Sequence, residues 1–408
     1  DDGGVDLGSG SYEFKDLYVD GVAYTDAIGF GSVAMTLPAA AGSDGQVLTT
    51  DGSGALSWAS ASSGTTVDGL SDAKSAGTNF NGSLLLGHQT TGILDEAVNN
   101  LGVGLAALDA ITSGDYNTGV GYGALGYTNS GGGNTGIGGY AGLSITTGSR
   151  NIAIGNQAYD NADTENDNLA IGHNALGGSI NGGEYNVAIG NSSLEDNTSG
   201  DYNVAVGYRS LSANTSGGYN NAFGYDAMIS NTTGLQNTAV GHTSLYSNTT
   251  ASGNAAYGHG SLYANTTGVS NTASGVSSLI SNTTASYNTA IGGAALQDAN
   301  RTADTDGYNT ALGYQAGNTN TNDITTGNKN TLLGASTAAS AAAGTNQSVI
   351  GYGASGQANN SVTLGNADVT AVYMAQDKGA TVYAAGMVIS DDGTIGSESD
   401  ANAIAISS

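Results

Sequence analysis

The chain has 408 residues, of which 67 are Gly, one is Pro and none is Cys, and its 34 acidic against 7 basic side chains give a formal net charge of −27. The cations, Lys15, Lys74, Arg150, Arg209, Arg301, Lys329 and Lys378, are scattered, so no basic stripe exists to neutralise phosphates and nucleic acid is not an expected partner. Without Cys there is no disulfide framework and no thiolate chemistry, and no apolar run approaches the roughly 20 residues that span a bilayer, so membrane insertion is not expected either.

Residues 1–60 read as a β-rich attachment or shoulder region. The chain starts at Asp1 without the basic and then apolar layout of a signal peptide, which predicts a processed chain or one that starts late. Tyr18, Val19, Gly21, Val22 and Tyr24 suggest a short strand, and Pro38 precedes an Ala/Gly/Ser stretch. Residues 46–50 (QVLTT) and 55–58 (ALSW) alternate on either side of Asp51, Gly52, Ser53 and Gly54, the pattern of a hairpin. Residues 61–82 read as a linker.

From 83 to 366 a short phrase recurs: Asn, then Thr or an aliphatic, a small residue, an aliphatic, and Gly. Examples are NTGVG at 117–121, NIAIG at 151–155, NVAIG at 186–190 and NTAIG at 288–292. The anchor glycines run from Gly87 to Gly365 in steps of 17 residues, except 18 before Gly190, 21 before Gly313 and Gly334, and 14 before Gly365. A second ladder, Asn197, Asn214, Asn231, Asn248, Asn265 and Asn282, keeps the same step, each Asn followed by Thr. Seventeen residues are too few for two helices, and the phrases alternate at period 2, so they read as short strands. The fold class is therefore all-β, a parallel β-solenoid with one coil of about 17 residues per repeat and two corners and two strands in each coil.

In that reading Val187 and Ile189 point inward with Leu194, while Ala188 and Gly190 face outward or toward a neighbouring chain. Gly at the corner permits positive φ or close backbone approach, and Asn at equivalent corners stacks amide on amide along the axis. Three or four apolar side chains per coil make a thin core, so lateral association into an oligomer is expected. Residues 367–408 read as a β-rich cap and tail, with strands at 369–374 and 381–389 and an acidic, polar end from Asp391.

Chemistry is weakly signalled. His88, His173, His242 and His259 all follow an anchor glycine, a slot that elsewhere holds Tyr122, Tyr208, Tyr225, Tyr314 and Tyr352, so they read as structural, with His242 and His259 stacked on adjacent coils about 5 Å apart. The 28 Asp against 6 Glu fit turns better than paired acid and base work. In residues 298–307 (DANRTADTDG), Asp304, Asp306 and Gly307 have calcium-loop spacing. Thr302 takes the first ligand place and Gly313 that of the closing Glu, so the motif fails and no cofactor is expected, with Ca²⁺ at this cluster as the alternative. No Gly-x-Ser-x-Gly elbow sits at a strand-to-helix turn, and coils this short lack the loops that build a glycosidase cleft; no enzyme is expected. The 21-residue intervals carry four extra residues each, and insertions on a solenoid flank are where binding surfaces form, which makes Asp304, Asp306, Asn320 and Asp323 the candidates for receptor contact. The 22 Tyr offer rings for sugars or for neighbouring coils. A Thr array suited to ice is broken by Ile152, Leu169 and Val187.

The stretch NTAVGHTSLYSNTTASGN from Asn237 resembles the head repeats of trimeric autotransporter adhesins and, more closely, the repeats of phage tail fibres. The likeness covers roughly residues 83–365, and the usual adhesin-head unit is shorter than this one. DGQVLTTDGSGALSW from Asp44 and SVTLGNADVTAVYMAQD from Ser361 are similar to parts of marine phage fibres. The resemblance implies a homotrimer with a left-handed coil per chain and a C-terminal chaperone that cleaves itself off; a chain ending at Ser408 without one suits a cleaved product or a truncated one. It implies a structural fibre for host attachment on the virion tail, held to tail or baseplate proteins through the N-terminal region and meeting a cell-surface glycan or protein. A bacterial trimeric surface adhesin is the alternative, and a polysaccharide-degrading tailspike a third reading. Three copies would triple the charge, which favours solubility and makes divalent cations expected helpers in adhesion to anionic cells.

Overall fold

The computed structural model describes residues 27–30, 33–36, 73–75, 83–86, 96–302 and 306–372 and, between 38 and 60, all but 39, 41, 45 and 51–54. The expected strands near Tyr18 and at 381–389, the turn at 51–54, and Gly87 with His88 lie outside these residues. Every regular element among the described residues is a strand. Two are hairpin pairs: β1 (Ala27–Phe30) with β2 (Val33–Thr36), and β3 (Gln46–Thr50) with β4 (Leu56–Ser60), the latter in the register Thr50↔Leu56 expected of the QVLTT and ALSW runs. Trp58 on β4 donates its indole N–H to the Ala40 carbonyl at 2.8 Å.

The repeat region is a parallel β-solenoid of three- and four-residue strands, and the chain divides into two compact units at residue 226. In the first unit lie β5 (Ala73–Ser75), β6 (Leu84–Leu86), β7 (Leu101–Val103), β8 (Thr118–Val120), β9 (Thr135–Ile137), β10 (Ile152–Ile154), β11 (Leu169–Ile171), β12 (Val187–Ile189), β13 (Val204–Val206) and β14 (Asn221–Phe223). From β6 onward each pairs in parallel with the next, as Ile152↔Leu169 and Val187↔Val204. At about 4.8 Å per coil, the nine strands β6 to β14 stack over roughly 40 Å. β5, inside the stretch read as a linker, pairs antiparallel with β6 and so covers a sheet edge that would otherwise present unpaired backbone groups. The second unit holds β15 (Thr238–Val240), β16 (Ala255–Tyr257), β17 (Thr272–Ser274), β18 (Thr289–Ile291), β19 (Thr310–Leu312), β20 (Thr331–Leu333), β21 (Gln347–Ile350) and β22 (Ser361–Leu364), again parallel and in step. Residues 369–372 form no strand, so the strand expected to begin at Val369 does not.

A single coil shows how the sequence folds and where expectation fails. Between Gly190 and Gly207 there is one strand, not two; the other side is a run of turns. Its backbone N–H groups still bond to the next coil, Leu194 to Ser210 at 3.0 Å, Asp196 to Ser212 at 2.8 Å and Thr198 to Thr215 at 2.9 Å. It does so with left-handed residues that are not glycine: Ser192 has φ 56° and Leu194 φ 51°. A left-handed Leu costs about 1–2 kcal/mol, which burial of its side chain, worth about 1.5–3 kcal/mol, offsets; Leu194 is fully buried.

The inward and outward sets of the strand are the reverse of those expected. Ala153, Ala170, Ala188, Ala205 and Ala222 are fully buried, whereas Val187 and Ile189 are half-buried on the outer side. The cause is the strand Asn. Asn186 is fully buried; its side-chain carbonyl accepts the backbone N–H of Asn203 at 3.0 Å, and its amide donates to the Gly200 carbonyl at 2.9 Å. Strand side chains alternate in direction, so an inward Asn186 sends Val187 and Ile189 out and Ala188 in. Leu194 then supplies the bulk that Ala188 lacks. Where the Leu column has Gly317, a Cβ would meet Leu296 at 2.8 Å and Leu332 at 3.0 Å, so Leu332, standing in the alanine column, fills the gap.

The second Asn ladder does stack amide on amide. Asn214 donates to the Asn197 side-chain carbonyl at 2.7 Å and to the Gly217 backbone carbonyl at 2.9 Å, and Asn231 donates to Asn214 at 2.9 Å. It ends at Asn282, whose carbonyl oxygen is buried without a partner, because the residue 17 farther on is Ala299. The anchor glycines combine both expected reasons: Gly190 has φ 134°, and a Cβ there would lie 2.4 Å from the Gly207 carbonyl oxygen.

Candidate functional site

Because the strand Asn turns inward, each coil presents two side chains on the outer face of the sheet. In β10 to β13 all of them are aliphatic: Ile152 and Ile154, Leu169 and Ile171, Val187 and Ile189, Val204 and Val206. In β17 to β20 the first outward place is Thr272, Thr289, Thr310 and Thr331, and the second is Ser274, Ile291, Leu312 and Leu333. Exposure of Ile137, Phe223, Ile291 and Leu312 is 40–45%, far above that of a satisfied core side chain. The sequence pattern contained this face, since the parity of the Asn decides it, but the larger residues of an alternating strand are ordinarily its core.

Aromatic columns flank the strands. Before them, Tyr185, Tyr202 and Tyr219 stack with centroids 5.0 Å apart and planes within 15°, and Tyr287 stacks on Tyr308 at 5.1 Å. Partial desolvation and then the neighbouring phenols push the Tyr202 hydroxyl above its ordinary range. After the anchor glycines, Tyr208 and Tyr225 stack at 5.2 Å beside Arg209, whose guanidinium holds Asp226 through bonds of 2.9 and 2.6 Å. His242 and His259 stack at 5.1 Å on adjacent coils, as their slot implied. Within these ladders ring faces cover one another, so the rings contact neighbouring coils through the surfaces a sugar would use.

Of the residues expected to touch a receptor, the structure brings Asn320 and Asp323 together. Asp304 lies outside the described residues. Asp306 is half-buried and forms a parallel bridge with Ser286, a place in the coil ladder. Asn320 is exposed with φ 61°. Asp323 lies beside it and accepts the backbone N–H groups of Thr319 at 2.5 Å and Asn320 at 2.6 Å, closing its own loop. That loop is tied to the preceding coil by Asn300, which donates its N–H to Thr325 at 2.7 Å, and by Arg301, which donates to the Thr326 carbonyl. Among the described residues no three His, Asp or Glu side chains gather as metal ligands do.

No protein-family model matches the chain, and no curated protein matches it.

Proposed function

We propose that this chain is a structural, non-enzymatic fibre protein that associates as a homotrimer of left-handed coils and attaches a virion tail to a host cell. The observation that carries the reading is the outward aliphatic face of β10 to β13, with its flanking aromatic columns. The outer sheet of the first unit measures roughly 40 Å by about 15 Å, near 600 Å², of which the four aliphatic strands make up roughly half, against the ~800 Å² that each partner buries in a standard interface. Its columns repeat at the coil pitch, and a surface that matches that pitch over many coils is another copy of the same stack. Three copies follow the adhesin-head and tail-fibre repeats that the sequence resembles, as do the left-handed coil and attachment through residues 1–60 to tail or baseplate proteins.

In this reading the mechanism is reach plus multivalency. Three copies of a weak contact with a cell-surface glycan or protein give an avidity about 10²–10⁴ above one contact when all engage together. The test is mass spectrometry of density-gradient fractions from the native source, together with the mass of the purified chain in solution. Peptides banding with virus particles and a trimeric mass are expected. Peptides confined to cell envelopes would replace the virion with a bacterial surface adhesin, and a monomeric mass would overturn the assembly.

A further inference from the structure

The coil from Gly121 to Gly138 departs from the repeat at several positions, and the departures meet. At the second and fifth places after the anchor, where other coils carry residues such as Gln157 or Arg209 and Leu143 or Tyr246, it has Gly123 and Gly126. Its sixth place, small or polar in the coils on either side (Ala110, Ser144), is Tyr127, and the next coil sets Tyr140 at a second place where its neighbours have Gly123 and Gln157. The missing side chains leave a cleft of about 230 Å³ bounded by Asp109, Tyr122, Gly123, Gly126, Tyr127 and Tyr140. Tyr122 and Tyr140 meet at 90° with centroids 5.0 Å apart. All three phenols line this small volume, and the Tyr140 hydroxyl is pushed above its ordinary range first by the adjacent Tyr122, with Tyr127 acting in the same direction. A Cβ on Gly126 would come within 3.0 Å of Leu143 Cδ1, and one on Gly123 within 3.1 Å of the Tyr140 ring. The two glycines keep the space open.

We propose that this cleft binds an organic cation carrying a quaternary ammonium group. Aromatic rings attract such a cation through their quadrupoles, and three together form the cage that recognises methylated ammonium. Asp109 adds a negative charge, and no lining residue carries a cationic or amide side chain. A sugar needs donors and acceptors distributed round its ring; a methylated ammonium needs neither. The −27 charge of the chain raises the local concentration of cations. The inference goes beyond the attachment reading and stands independently of it.

The test is a titration of the full chain with choline, followed by saturation-transfer NMR, beside its neutral tert-butyl isostere 3,3-dimethylbutanol. Choline is expected to bind at least about tenfold more tightly than the isostere, a preference that salt reduces. Gly126→Leu fills the cleft with a side chain that Leu143 already carries at the same place one coil on, and is expected to abolish binding. Tyr127→Ala removes an exposed ring and is expected to weaken binding about three- to tenfold, with Asp109→Asn in the same range. Tyr352→Ala, an exposed ring elsewhere, is expected to leave it unchanged. Capture on phosphatidylcholine vesicles that free choline reverses would place the group on a lipid, and binding of choline without capture would place it on a soluble molecule. Equal binding of the isostere, binding that survives in both Gly126→Leu and Tyr127→Ala, or saturation transfer to glucose or galactose with none to choline would each overturn the proposal.

Discussion

Two stretches of outer sheet, β10 to β13 in the first unit and β17 to β20 in the second, share a backbone and differ in chemistry. In β10 to β13 both outward places are aliphatic; in β17 to β20 the first is Thr throughout. The inward places hardly change: Ala188 and Ala205 in one unit and Ala273 and Ala290 in the other are all fully buried. The inward places vary little, and where they do they compensate, as Leu332 does for Gly317, whereas the outward pair changes chemistry between these two sets of strands. A Thr column leaves hydroxyls that stay satisfied in water, while paired aliphatic columns gain most from being covered.

The largest expected effect separates the two faces directly. Ile171→Asp with Ile189→Asp places charges on the aliphatic face and should weaken self-association about 100-fold or more, because an unpaired charge would be buried. Thr289→Asp with Ile291→Asp should shift it less. Sedimentation equilibrium checks both, and an unchanged mass in the first pair would remove that face from the interface.

Next comes the Asn ladder. Asn214→Ala leaves the buried Asn197 side-chain carbonyl without its donor, removes one of the two donors to the Gly217 carbonyl, which keeps that of Asn203, and takes away the oxygen that accepts from Asn231, and should cost about 2–3 kcal/mol in denaturant unfolding. Asn282→Ala removes donors to Asn265 and Ala285 but takes away an acceptor that already lacks a partner, so its cost should be about 1 kcal/mol lower. Equal costs would mean that the unpaired oxygen at Asn282 is met by solvent.

Acid should stabilise the first unit. Burial raises the carboxyl of Asp160 above its ordinary range, and partial desolvation, then the neighbouring Glu195, raises that of the more exposed Asp196. A group whose folded pKa is raised contributes stability that is complete below its unfolded value and is lost as pH rises through the folded one. Asp167, held low by its bond to Arg150, loses its contribution only as pH falls below the ordinary carboxylate range. Lowering the pH from 8 to 4.5 should thus raise the melting temperature by roughly 2 °C or more, and Asp160→Asn with Asp196→Asn should flatten that rise. A melting temperature that falls over this range would contradict the desolvation of the buried Asp160 carboxyl.

The smallest effect lies in the aromatic columns. Tyr202 stacks on two rings and Tyr287 on one, so Tyr202→Ala should cost more than Tyr287→Ala by about 0.5–1.5 kcal/mol. Chemical denaturation of the two variants measures the difference.

Much of the fold was legible before any coordinates. The 17-residue step of the glycines from Gly104 to Gly172 requires identical coils, and identical coils of that length stack as parallel strands. The close approach at Gly190, the amide stack from Asn197 to Asn214, the hairpin of β3 and β4 and the stacking of His242 on His259 all follow from spacing alone. The receptor candidates were less legible. A four-residue insertion gives no sign that Asp323 spends its carboxylate on its own loop, or that Asp306 sits in the ladder beside Ser286.

Tertiary structure decided the rest, and for one reason. Alternation at period 2 divides a strand into two sets of side chains without saying which set is inside. In NVAIG the larger pair, Val187 and Ile189, is the natural choice for a core, yet Asn186 shares the parity of Ala188 and has backbone partners only inside the coil, where the next coil offers the N–H of Asn203 and the carbonyl of Gly200. The left-handed Leu194 is hidden from sequence for a similar reason, since its conformation is unfavourable locally and is held by burial and by its bond to Ser210 in the next coil. The repeat by itself determined that there are coils and how they register. Contacts between coils determined which side of each strand faces the world.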